Sequence, residues 1–309
     1  MSKKTSKWIS RTAGRWFFFI ILQLFRYLPL SLIVLMTDGL LAVAFWPLKR
    51  LRAHAQESLT IAFGNEKSAE EINSILRNCF MNLGRGIVEV FCYIYRPWLI
   101  SQKIHLTRGS QQHLDNALRE NKGVVGISAH FGNFPLMLIY LSQLGYPVHA
   151  LIRPNRDAGM EKIFKELQVR MKFRAIDSYP RKECVRSSFK ALRNKEAVVI
   201  LMDQNTGSSS GVFVNFFGRP AETPTGAVTF AMRTGSPILP IFTVRDGKGT
   251  HKVIIEPHFY LEQKATDEET LQYNVQKITA IIETYIRQYP TEWAWMHRRW
   301  KTQKRTAAL

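Results

Sequence analysis

Cysteine is scarce: Cys79, Cys92 and Cys184 are the only three in 309 residues. They are odd in number and share no metal-ligand spacing, which argues against a disulfide framework and a zinc site and suits a reducing, cytosolic compartment. Negative charge is also in short supply, with 24 Asp and Glu against 43 Lys and Arg for a net charge of +19. Such a chain works against something negative, and nucleic acid, anionic lipid headgroups and an acidic carrier protein all qualify. No basic recognition helix and no module with stacking aromatics is present, so nucleic acid drops out and lipid and carrier remain. A clean apolar run of the roughly 20 residues that a simple membrane span needs is missing as well. The apolar stretch 16–46 is interrupted by Gln23, Arg26, Pro29 and Asp38. There is no internal repeat and no low-complexity linker.

What is there begins with a basic N-terminus, Lys3, Lys4, Lys7, Arg11 and Arg15, followed by that broken apolar stretch and by Lys49, Arg50 and Arg52. Residues 1–48 are therefore expected to be a membrane anchor, either one tilted helix or an interfacial hairpin. The basic flanks on both sides leave its orientation open. The apolar part is too long for the h-region of a cleaved signal, about 7 to 15 residues. The remainder, 49–309, fits one catalytic domain.

Within it, 49–96 is a helical lead-in. Ser68-Ala69-Glu70-Glu71 reads as a capping box, and Ile72, Ile75, Leu76, Phe80, Leu83 and Ile87 follow at helical spacing. From 97 to 301 strand and helix patterns alternate. Strands are expected at 123–129, 148–152, 197–202, 212–216, 238–244 and 252–256, and helices at 111–120, 134–144, 158–172, 182–193, 225–234 and 267–289. That order predicts an α/β fold with a mixed, mostly parallel central sheet flanked by helices. Asp246-Gly247-Lys248-Gly249 predicts one antiparallel hairpin. Residues 302–309 form a tail.

His130 stands out because a buried-strand run delivers it to a carboxyl end just before a helix, where ligand sites of open α/β sheets collect. Asn133 reads as the N-cap of that helix and Pro135 fits its first turn, so free helix amides lie near an imidazole base. Asp203 follows a second buried strand, where it acts on the chemistry or caps a turn. Gly207 to Gly211 is a loop that admits a long substrate or simply lies on the surface. Thr225, ahead of a helix, is either an ordinary cap or part of an anion site. Trp293, Trp295 and Trp300 read as core, while Arg298 and Arg299 between them are candidates for an acidic substrate.

The run His130-Phe131-Gly132-Asn133-Phe134, with Met202-Asp203-Gln204, the stretches 211–226 and 233–240, and the ending Glu292-Trp-Ala-Trp-Met-His-Arg-Arg-Trp-Lys301, resembles the lipid A biosynthesis acyltransferases. Those are the lauroyl and myristoyl transferases of the lysophospholipid acyltransferase superfamily, and the likeness spans about 50–301. It implies transfer of a fatty acyl chain from an acyl carrier protein or coenzyme A thioester to a hydroxyl of a lipid A precursor or related glycolipid or lysolipid. It further implies His130 as base, no cofactor or metal, and a place at the bacterial inner membrane with the catalytic domain facing the cytoplasm. By the same resemblance Asp203 and Gln204 sit by the cleft, and Arg153, Arg156 and Arg170 meet phosphate or phosphopantetheine. One position departs from the pattern. The acid that the family places after four intervening residues, where it orients the histidine, is Pro135 here. Three arrangements are open: Asp203 or another carboxylate takes over, the Asn133 amide orients the ring, or the chain is a specialised lipid-binding relative without turnover.

Overall fold

The computed structural model describes residues 3–205, 207, 211–247 and 249–302. Four helices come first: α1 (Lys3–Tyr27), α2 (Leu30–Ala44), α3 (Lys49–Phe63) and α4 (Ala69–Ile94). The predicted capping box starts α4, with the Ser68 hydroxyl accepting from the Glu71 amide at 3.2 Å and the Glu71 carboxylate accepting from the Ser68 amide at 2.8 Å. The alternating part then runs α5 (Ile100–Lys103), β1 (Ile104–Leu106), α6 (Ser110–Arg119), β2 (Val124–Ser128), α7 (Phe134–Gln143) and β3 (Val148–Ile152). It continues through α8 (Ala158–Arg170), β4 (Arg174–Asp177), α9 (Arg181–Arg193) and β5 (Ala197–Leu201). The last elements are β6 (Gly211–Phe216), β7 (Arg219–Pro224), α10 (Gly226–Thr234), β8 (Ile238–Arg245), β9 (His251–Ile255) and α11 (Asp267–Gln288).

Seven strands form one sheet in the order β1-β9-β8-β2-β5-β3-β4, and every neighbouring pair is parallel except β8 with β9. That exception is the hairpin predicted at 246–249, whose Lys248 lies outside the described residues. β2 and β5 are apolar and buried on both faces, as a central parallel strand covered by helices requires. One expected strand is misplaced. Residues 211–216 pair only with 219–224, in a separate two-stranded antiparallel sheet, because the turn at 217–218 folds the chain back before it can reach the central sheet.

The N-terminal helices pack against α4. Among the described residues no single helix is long and apolar enough to cross a membrane, although α2 and α3 pass that test together as a pair bent by 84°. α2 lies along α4, with Ile33 buried and Asp38 paired to Arg85 at 2.6 Å. The Arg96 guanidinium, just beyond α4, donates to the carbonyls of Phe25 and Leu28, which ties the break between α1 and α2 to the body. The other face of α1 and α2 stays apolar and open, with Trp16, Phe17, Leu35, Leu40, Val43 and Trp46 all exposed.

Candidate active site

The site follows from strand register. β2 and β5 are parallel neighbours in which Ser128 sits opposite Leu201. His130 and Asp203 are each two residues beyond those positions, so the two chains leave the sheet at one level. The His130 Nδ1 and the Asp203 Oδ1 are then 3.0 Å apart, within hydrogen-bond reach. Asp203 is buried, and the Trp293 indole N–H donates to its other carboxylate oxygen at 2.8 Å. Burial alone would raise the pKa of such a carboxyl, but the bonds from His130 and Trp293 and the charge of His130 hold it below the usual carboxylate range.

The C-terminal segment fixes the backbone of this loop. The Gly132 amide donates to the Glu292 carbonyl at 2.8 Å and the Ala294 amide to the His130 carbonyl at 3.1 Å, around a bridge between Phe131 and Trp293. Gly132 takes a φ of +56°, and a Cβ on it would lie 1.9 Å from the Thr243 carbonyl oxygen, so only glycine fits. The Asn133 side chain caps α7 through the Leu136 amide, as expected. Its NH₂ group donates to the Gly86 carbonyl and to Glu89, which commits the amide away from the imidazole. Pro135 has no N–H and the Leu136 amide is capped, so the Phe134 amide is the one donor of the first turn that α7 leaves unused.

His130 opens onto a cavity of about 510 Å³ between α4, α7 and α8, over β3 and β5. The lining is apolar, including Phe91, Leu138, Ile139, Leu167, Met171 and Phe173. Arg153 and Asn155, just past the carboxyl end of β3, lie on the same side as His130. His149 is level with Arg174, so Phe173 lies at the opposite end of the sheet, about 13 Å from the level of Ile152 at 3.3 Å per residue. The structure thus sets an imidazole, backed by a buried carboxylate, at the mouth of a deep apolar cavity.

The bacterial lipid A biosynthesis acyltransferase model matches residues 1–302. The chain belongs to this family. It is an O-acyltransferase of the lipid A biosynthesis family, acting between an acyl donor and a lipid acceptor. The lipid A biosynthesis palmitoleoyltransferase of Escherichia coli strain K12 is 28% identical over 292 residues, 93% of this chain and 90% of its own length. The lauroyltransferase of the same strain is 25% identical over 288 residues, 91% of this chain and 89% of its own. A phosphatidylinositol mannoside acyltransferase of Mycobacterium tuberculosis strain H37Rv is 26% identical over 153 residues, 48% of each chain. The crystal structure of the 1-acyl-sn-glycerophosphate acyltransferase PlsC from Thermotoga maritima aligns over 77% of this chain and 95% of its own at 11% identity, with a TM-score of 0.37.

The other residues singled out in this acyltransferase scatter around the site. Gln204 directly follows Asp203 and is partly buried, and Arg156 is exposed beyond Arg153. Arg170 is held by the protein: its Nε donates to the Ile94 carbonyl and its guanidinium stacks on Tyr95. Thr225 stands at the start of α10, outside the lining of the His130 cavity. Arg298 is exposed, whereas Arg299 is buried and donates to the Glu222 carbonyl and the Thr223 hydroxyl, which pins β7. Of the loop expected to admit substrate, Thr206 and residues 208–210 lie outside the described residues.

Two neighbours escaped the sequence reading. Trp293 is core, as expected, but its indole N–H also fixes the Asp203 carboxylate. His297 has its Nε2 accepting the Asn205 amide at 3.2 Å, and burial lowers its pKa while Asp203 pulls the other way, which favours the neutral ring. Their membership in the 292–301 run was the one signal available.

Proposed function

We propose that the enzyme moves a fatty acyl chain from a carrier-protein or coenzyme A thioester to a hydroxyl of a lipid A precursor or related glycolipid, with His130 as general base. The observation that carries this reading is the His130–Asp203 pair at the mouth of the apolar cavity. With Nδ1–H donated to Asp203, Nε2 is left to take the proton of the acceptor hydroxyl. The alkoxide oxygen then attacks the thioester carbonyl, a C–O bond forms and the C–S bond breaks. His130 returns its proton to the departing thiolate. The Asp203 charge steadies the imidazolium between those steps, and the Phe134 amide is the nearby donor for the oxyanion. The acyl chain occupies the cavity down toward Phe173, with Arg153 at its mouth for the donor's phosphate.

The exposed apolar face of α1 and α2 lies against the bilayer, where the acceptor resides, and the net charge of +19 suits both anionic headgroups and an acidic carrier protein. His130→Ala tests the chemistry. Transfer from acyl carrier protein to a lipid A precursor should vanish while the melting temperature holds, because the His130 side chain is partly exposed at a strand end. Equal rates for the wild-type and variant proteins would refute the assignment of His130 as base.

A further inference from the structure

A second cavity, of about 390 Å³, lies between α3, the turn from β6 to β7 and the C-terminal segment. Arg219, Arg298 and Lys301 are exposed on its walls, and none of them has a carboxylate within 4.0 Å among the described residues. Arg299 lines it too and is only 1% exposed. Its two terminal nitrogens are used on Glu222 and Thr223, but its Nε–H has no acceptor. The Trp300 indole N–H, also buried and also on the wall, is likewise unsatisfied. Among the described residues Glu57 is the only acid that lines the cavity.

A buried donor without an acceptor costs about 1 to 3 kcal/mol, and here two of them border one cavity beside three unpaired cations. Burial lowers the Arg299 guanidinium to about 10, against the opposing pull of Asp203 and Glu222. One group satisfies all of these at once. With Arg219, Arg298, Arg299 and Lys301 facing the single acid Glu57, the cavity carries a surplus of positive charge that a multiply charged group matches, and its donors call for several acceptor oxygens in different directions. A carboxylate has two oxygens and one charge, whereas a phosphate monoester has three free oxygens and nearly two charges at neutral pH.

We propose that this cavity binds a phosphate group of a substrate. The inference rests on the acyltransferase reading for the identity of that substrate, but not for the binding itself. The cavity is joined to the proposed catalytic loop: Thr302, on its wall, hydrogen-bonds the Asn205 side chain at 3.1 Å, and the Asn205 amide is held by His297. Asn205 is two residues past Asp203. A phosphate seated here therefore fixes substrate relative to the His130–Asp203 pair without touching the reacting atoms.

The test uses the full chain in detergent and inorganic pyrophosphate as probe, with binding read by titration calorimetry. Wild type should bind, and Arg219→Gln combined with Arg298→Gln, both at exposed positions, should weaken binding at least tenfold. His130→Ala should bind like wild type, so loss of turnover and loss of the phosphate site are read separately. Two further arms distinguish the source of the phosphate. If it belongs to the acceptor, the double variant raises KM for a phosphorylated glycolipid, leaves kcat within about twofold, and makes no difference with the dephosphorylated lipid. If it belongs to the donor, the same KM effect follows coenzyme A against pantetheine thioesters. Absence of pyrophosphate binding in wild type, or equal binding in the double variant, overturns the proposal.

Discussion

Asp203→Asn is the most informative perturbation, because the two partners of the carboxylate make conflicting demands on an amide. In the native site one oxygen accepts from His130 Nδ1 at 3.0 Å and the other from the Trp293 indole at 2.8 Å. Asparagine has one oxygen to offer. If the oxygen stays on Trp293, the NH₂ group faces Nδ1, and the ring answers by moving its proton to Nε2, the atom proposed to act as base. If the oxygen stays on His130, the NH₂ group faces the indole N–H across a buried contact, at about 1 to 3 kcal/mol, and the imidazolium has lost its counter-charge. Either way turnover falls. The serine-protease template sets the scale at about 10⁴ in kcat, or about 5.5 kcal/mol. Asn133→Ala should behave oppositely, because its amide is committed to Gly86, Glu89 and the Leu136 amide: about 1 kcal/mol of stability goes with the lost cap, and turnover stays within a few-fold. Pro135→Glu should bring no gain, since Nδ1 is already engaged. The assay is transfer from acyl carrier protein to a lipid A precursor under single-turnover conditions, beside a urea melt of each variant. Asp203→Asn within tenfold of wild type, or Asn133→Ala slower than Asp203→Asn, would refute the pairing.

Gly132→Ala should destabilise by about 3 to 5 kcal/mol, because both the left-handed backbone and the 1.9 Å approach to the Thr243 carbonyl forbid a Cβ; a thermal melt with little or no loss would count against this packing of the loop. Glu292 is a buried carboxyl, raised from 4.5 to about 7 chiefly by burial and also by Glu89, against the pull of Arg245. A folded pKa above the unfolded one means that its contribution is complete below pH 4.5 and is lost as pH rises through 7, about 3 kcal/mol in all. Glu292→Gln should therefore flatten the fall in stability between about pH 4.5 and pH 7 in urea melts, and an unchanged slope would show that another group is responsible.

Much of the fold is legible in local pattern, and what is not legible is set by long-range register. The helices carry their own signals: Ser68 with Glu71 at the start of α4 and Asn133 ahead of α7 form the caps their spacing predicts. The central strands β2 and β5 are recognisable because parallel strands covered on both faces are continuously apolar. β1 and β4 went unread since they are three and four residues long at the sheet edges, with His105 or Arg174 exposed, too short and too polar for periodicity to register. Residues 212–216 were visible as a strand but not as to which sheet, since alternation reports burial of a face and not the identity of a partner. The N-terminal apolar stretch is visible in the sequence, but its packing on α4 depends on contacts such as Asp38 with Arg85, 47 residues apart.

The replacement of the family's acid by Pro135 is instructive for the same reason. A histidine base requires an acceptor within about 3 Å of one ring nitrogen, and nothing in that requirement specifies which element supplies it. In the helical arrangement the acid would project from the first turn of α7, where its reach is fixed by the chain that already carries the histidine. Here the acceptor comes from β5, and its placement depends on Ser128 lying opposite Leu201. A slip of one residue in that pair would shift Asp203 along the strand by about 3.3 Å and turn its side chain to the other face of the sheet. The site is thus as well determined as the register, and the register is held by strands buried on both faces, with the Met202 amide bonded to the Ser128 carbonyl at 3.0 Å. Proline at 135 is compatible with this site because its first-turn position needs no N–H and, in the presence of Asp203, no carboxylate.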